Sequence, residues 1–185
     1  AAALDIFVLD DGDTNAADLF EELRAWGHTV TSSQDSYGFT ESEFTSTTRV
    51  TLTDYDAVIW LDGGDDTFEQ MSSTGQAALY SYVSGGGGLL LFGATGYQAS
   101  ASGYYSSYLS LIPLRSSTYA GDRTWAVADA SHPATEGLSS SFTPDGGVIA
   151  DTSASFGSTI FSYTWFSTTY VGGVAATVGS GRLVQ

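Results

Sequence analysis

Two groups of carboxylates, one sharp glycine turn with a hydroxyl and two isolated histidines are where this 185-residue chain could do chemistry. Asp10, Asp11 and Asp13 follow one apolar run, and Asp62, Asp65 and Asp66 follow another. Hard cations take several carboxylate and carbonyl oxygens. Asp11, Asp13, Asp62 and Asp65 are therefore the candidate metal ligands, and Ca2+ is the cofactor they would imply. Asp11, Asp13 and Asn15 also have Asp-x-Asp-x-Asn spacing, with Glu22 at the twelfth position. Ala16 stands where an EF-hand loop needs Gly, so no EF-hand is expected. The ordinary alternative is that these Asp residues meet the positive end of a helix. Calorimetric or melting-temperature titration tests the site, and no change at millimolar calcium would rule it out. The glycine turn is Gly93-Ala94-Thr95-Gly96, where Thr95 is the hydroxyl. His132 is either a ligand or base in a cleft, or the opening residue of a turn ahead of Pro133. His28 follows Gly27 at a strand start and reads as structural.

Composition narrows the partners. Twenty-one acidic residues against five Arg and no Lys give a formal charge of −16. Nucleic acid and anionic membranes need clustered cations, so both are unexpected. No apolar run approaches the roughly 20 residues of a membrane-spanning helix. With no Cys, disulfides and thiol chemistry are excluded. About a quarter of the residues are Ser or Thr, Lys is absent, and the chain opens Ala1-Ala2-Ala3. Small residues at a new N-terminus are what signal-peptidase cleavage leaves. An extracellular or cell-surface location is the resulting expectation.

The elements that must position these residues follow from hydrophobic patterning. Asp5–Asp10 and Ala57–Leu61 are apolar runs of the kind buried on both faces of a parallel sheet. Asn15 is placed to cap a helix with Ala16, Leu19, Phe20, Leu23 and Trp26 on one face, ended by Gly27. His28–Thr31 completes a β-α-β unit, which is built right-handed around a parallel sheet. Residues 32–53 read as a polar surface connection with a short element near Glu41–Phe44. Ser73 caps a second helix, with Gln76 as its capping-box partner, Ala77, Leu79, Tyr80 and Val83 as its apolar contacts, and Gly85 as its stop. Leu89–Phe92 leads into the glycine turn. Five strands follow residue 112: Trp125–Ala128, Gly147–Ala150, Thr159–Tyr163, Tyr170–Ala176 and Arg182–Val184. The expected fold is a single α/β domain over 1–185, with a flavodoxin-like three-layer core on a parallel sheet and more antiparallel C-terminal strands. Ligands of such sheets bind beyond the C-terminal strand ends, where both acidic loops fall.

Four segments carry a resemblance. "LTDYDAVIWLDGG" is similar to a strand ending in the Gly-Gly turn that lines an oxyanion site. "LYSYVSGGGGLLLFGATGYQ" resembles the helix, glycine turn, strand and nucleophile elbow of the class I glutamine-amidotransferase-like superfamily. "HPATEGL" resembles the His-Pro-x-x-x-Gly-Leu segment of the ThuA-like domains in that superfamily, and "VGSGRLV" a late strand that begins with Gly-x-Gly-Arg. The resemblance implies ligand contacts at Gly63, Gly64 and Tyr97. It also places Ala94, within Gly93–Gly96, where active members carry Cys. A methyl group cannot attack a carbonyl, and no late His stands ready as base for Thr95. The chain ends at Gln185, about where the family's catalytic His-x-Glu would follow, so it reads as truncated or as part of a larger protein.

The expected function is a non-catalytic extracellular or cell-surface binding or assembly module. Two alternatives stay open: a hydrolase using Thr95 or a metal at the acidic loops, with His132 as a weaker candidate, and a calcium- or carbohydrate-binding domain. Tyr97, Tyr104, Tyr105 and Tyr108 form one aromatic group, and Tyr163, Trp165, Phe166 and Tyr170 another. Such groups serve sugar stacking, protein interfaces or core packing. The partners they imply are other surface proteins, glycans, or a second copy docking through an unpaired C-terminal strand.

Overall fold

A computed structural model describes residues 2–10, 16–62, 71–93, 110–115, 118–119, 123–143 and 149–185. The chain divides into two compact units, residues 1–92 with 178–183, and residues 93–177 with 184–185. Among the described residues, no helix is long and apolar enough to cross a membrane.

The first unit contains β1 (Asp5–Asp10), α1 (Ala16–Ala25), β2 (Thr29–Ser32), α2 (Ser33–Tyr37), α3 (Ser46–Arg49), β3 (Ala57–Asp62), α4 (Ser73–Ser84) and β4 (Gly88–Gly93), and gains β11 (Gly181–Val184) from the chain end. Strand order is β2-β1-β3-β4-β11. β1 runs parallel to β2 and to β3, with Ile6 opposite both Val30 and Ala57. The expected β-α-β start is therefore present. Ile6, Phe7, Val8 and Leu9 are all buried, because both faces of β1 are covered.

One face packs Ile6, Val8, Val30 and Ile59 against Ala16, Phe20 and Leu23 of α1. That helix ends where the sequence placed its end. Gly27 has φ +91, His28 N–H donates to Leu23 O at 3.1 Å, and Gly27 N–H donates to Arg24 O at 2.9 Å. This is the Schellman pattern that satisfies terminal carbonyls. Trp26 corrects the expected apolar face. It is 69% exposed, because the helix ends before it and the chain then turns away.

The other face holds a larger correction. Residues 32–53 are not a surface connection. They fold as α2, α3 and two 3-10 turns, Glu41–Glu43 and Leu52–Asp54. Phe39, Phe44, Val50 and Leu52 are buried there. Phe7 meets Tyr55, Tyr37 and Phe44 at centroid distances of 5.1, 6.1 and 6.4 Å, and Phe39 stacks on Phe44. The inward residues sit on short separate turns, so they show no helical or strand period among their polar neighbours.

α4 seats on Phe44. Ser72, one residue before the expected cap, accepts from Gly75 N–H and donates to Phe44 O at 2.7 Å. Gln76 is buried, but its amide donates to Met71 O and forms no capping box. With this start the inward residues are Leu79, Tyr82 and Val83, while Tyr80 is 36% exposed. Tyr82 donates to Tyr55 O at 3.2 Å.

Tyr55 gives a pH prediction. Burial first, then the hydrogen bond with Tyr37, pushes its pKa from 10.0 up to about 12. Folding favours the neutral phenol, so this contribution is complete below pH 10 and is lost as pH rises toward 12. Urea midpoints should fall over that window, and Tyr55→Phe should flatten the fall. An equal fall in both proteins would contradict the assignment.

The second unit contains β5 (Thr118–Tyr119), β6 (Trp125–Val127), β7 (Ser141–Phe142), β8 (Ile149–Ala150), β9 (Ser158–Trp165) and β10 (Thr168–Val178). β10, β9, β6 and β7 lie side by side, and each neighbouring pair is antiparallel. β5 and β8 form a separate antiparallel pair. The antiparallel character expected after residue 112 is thus present, although β5 and β7 are too short to show a pattern in the sequence. Trp125, Ala150 and Tyr163 form one small core, and Leu114, Val171 and Val174 form another. A register shift in β10 falls at Gly172 and Gly173, where side chains would run into the rings of Trp125 and Phe161.

The C-terminal strand is also corrected. It is not an unpaired edge. Arg182 N–H donates to Gly87 O at 3.2 Å, and Gln185 and Val174 exchange backbone hydrogen bonds at 2.9 Å. Position at the end of a chain does not reveal position within a sheet.

Candidate functional site at the strand ends

The parallel strands bring their C-terminal ends together. Asp10 lies opposite Leu61, and Val8 opposite Ser32. Asp10 is 5% exposed, and its N–H donates to Ser33 Oγ at 3.1 Å. Ser32 caps α2 by accepting from Gln34 N–H at 3.2 Å. Ser32, Ser33 and Glu41 are buried polar residues at positions not expected from the sequence. Their signal was present but weak: β2 stops at consecutive hydroxyls, as β1 stops at a carboxylate. Hydroxyl-to-amide bonding at this rim fixes the backbone where α/β sheets place ligands.

Asp62 and Gly93 are the last residues of β3 and β4. The register therefore brings the stems of the two acidic segments side by side, as expected. Asp11, Asp13, Gly63, Gly64, Asp65, Ala94, Thr95, Gly96 and Tyr97 lie outside the described residues, as do Tyr104, Tyr105 and Tyr108. Among the described residues, no three His, Asp or Glu side chains are grouped to hold a metal ion.

Both histidines accept backbone hydrogen bonds. His132 Nδ1 accepts from Ala134 N–H at 3.1 Å and caps the 3-10 turn Pro133–Thr135. Thr135, 3% exposed, donates its hydroxyl to Asp129 O and His132 O. Asp129 accepts from the hydroxyl and the N–H of Ser131, and these bonds hold its carboxyl below the usual value. Gly137 closes the segment at φ +80. The "HPATEGL" sequence thus builds a tied turn from its own side chains. His28 Nδ1 accepts from Leu4 N–H at 3.1 Å, pinning the start of the β1 strand.

The second aromatic group splits in two. Tyr163 is buried, stacks on Tyr170 at 4.9 Å and meets Trp125 edge-on at 4.5 Å. Trp165 and Phe166 are 47% and 90% exposed, with ring centroids 5.3 Å apart. Arg123 Cζ lies 5.0 Å over the Trp165 ring. The β6–β9 register explains this contact. Ala126 pairs with Ser162, so continuing to the strand ends sets Arg123 opposite Trp165.

No protein-family model and no curated protein matches the chain. Solved structures do. A protein described as ThuA-like from Bacteroides uniformis aligns over 100% of this chain and 82% of its own, at 14% identity and a TM-score of 0.67. Another described as ThuA-like, from Parabacteroides merdae, aligns over 99% and 78%, at 11% identity and a TM-score of 0.65. A protein described as cytoplasmic from Salmonella typhimurium aligns over 98% and 85%, at 15% identity and a TM-score of 0.60. At these identities the likeness is one of fold: the chain is a mixed α/β protein with the architecture of these ThuA-like structures, consistent with a flavodoxin-like fold.

Proposed function

We propose that this chain is a non-catalytic binding module of the extracellular or cell-surface type. The observation that carries the reading is Ala94, at the sequence position where active members of the family it resembles carry their nucleophile. The chain's two histidines support it, since each uses Nδ1 to hold a backbone amide. Exposed aromatic side chains at the β9–β10 tip supply a surface with which such a module could work.

Restoring the nucleophile tests this directly. In Ala94→Cys the new thiol should alkylate with the pH dependence of an ordinary cysteine, with a pKa of about 8.5. It should also release no ammonia from glutamine. Rapid alkylation below neutral pH together with glutamine hydrolysis would reveal a retained base and overturn the proposal.

A further inference from the structure

We infer that the β9–β10 hairpin tip is a binding platform for a neutral glycan, formed by Phe166 and Trp165 and flanked by Arg123. The inference rests on the binding-module reading and names its ligand class. Trp165 pairs with Thr168, which leaves a two-residue loop, Phe166-Ser167. Phe166 has φ +52, the one non-glycine residue with positive φ among those described. Two-residue hairpin loops with positive φ at the first position ordinarily place Gly, Asn or Asp there, not an aromatic residue. A bulky aromatic in this backbone region is strained, and such strain marks positions held for a use other than stability. Here the strained residue is also 90% exposed, so its ring contributes little to a core.

The ligand class follows from what surrounds the rings. Arg123 lies against Trp165, the exposed Thr168 pairs with Trp165 and so shares its face, and the exposed Ser167 follows Phe166 in the loop. An aromatic face flanked by hydroxyls and a guanidinium suits a pyranose, whose C–H face stacks while its hydroxyls find hydrogen-bond partners. The net charge of −16 opposes anionic polysaccharides, nucleic acid and a second copy of the chain. Two aromatic side chains cover roughly 300–500 Å2 at most. A stable protein interface buries about 800 Å2 per partner, so a sugar chain fits this tip better than a protein.

The test uses the full chain. Binding to starch, xylan and mannan, and to their oligosaccharides, is measured by affinity electrophoresis and calorimetry. Phosphatidylcholine vesicles are assayed in parallel, with turnover of a chromogenic ester. The expected result is binding of at least one neutral glycan, weakened at least ~10-fold, about 1.4 kcal/mol, by Trp165→Ala and by Phe166→Gly. Phe166→Gly should melt at or above the wild-type temperature, because glycine suits this backbone. That separates a binding role from a structural one. Glycan binding unchanged in both variants would overturn the tip assignment while leaving the binding module intact. Absence of glycan binding, or vesicle binding through the tip in its place, would overturn the glycan inference. Ester turnover would instead count against the non-catalytic reading.

Discussion

Gly181→Ala is expected to cost about 3 kcal/mol of folding stability, through overpacking against backbone and lost hydrogen bonds. Gly181 opens β11, where any Cβ would run into the carbonyls of Val83 and Gly87. Both acceptors are main-chain atoms, so no side chain can swing aside. The preceding turn is fixed as well. Gly179 has φ +59 and lies against the backbone of Ser84, while Ser180 N–H donates to Ser84 O at 2.9 Å. This turn therefore satisfies a terminal carbonyl of α4, a group that would otherwise lack a partner inside the helix. Moving the strand to admit a methyl group breaks that bond and the one from Arg182 to Gly87. Typical domains have only about 5–15 kcal/mol in total, so the variant should unfold at much lower urea. A loss below about 1 kcal/mol would show that the turn yields more readily than its contacts imply.

Phe7→Ala is expected to cost about 3–5 kcal/mol, in the range for deleting a buried aromatic ring. Phe7 has no exposed surface, and it joins β1 to the layer formed by residues 33–55 through Tyr37, Phe44 and Tyr55. The surrounding rings are held by separate short turns and cannot collapse together into the space. A second readout distinguishes a cavity from a general loosening. Water admitted beside Tyr55 should lower its pKa from about 12 toward 10.0, visible in the ultraviolet titration of the phenol. A small stability loss with the titration unchanged would mean that the aromatic layer is not tied to β1 through this ring.

Much of the fold was legible because several devices are local. The apolar runs at Ile6–Leu9 and Val58–Trp60 announce strands buried on both faces. Gly27 ends α1 with the turn expected of it, and Gly179-Ser180-Gly181 makes the turn before β11. The aromatic layer was not legible, because Phe39, Phe44, Val50 and Leu52 face inward from unrelated turns. Neither was the pairing of the last strand, since its partners are set by topology. At the candidate site, the sequence located the stems of the two acidic segments through Asp10 and Asp62. It did not reveal the buried hydroxyls of Ser32 and Ser33, which became visible only when β2 was placed beside β1. The aromatic cluster near the C-terminus showed the opposite difficulty. Composition grouped four residues, of which Tyr163 is buried with Tyr170 stacked on it in a small core, while Trp165 and Phe166 stand exposed at the hairpin tip.

The central proposal is that the segment around Ala94 does no chemistry and that this protein works through its surface. The most direct measurement is turnover of a panel of chromogenic esters, amides and glycosides by the wild-type chain and by Thr95→Ala. Both proteins should match the buffer rate on every substrate. Turnover by the wild type that disappears in Thr95→Ala would identify Thr95 as a working nucleophile and contradict the proposal.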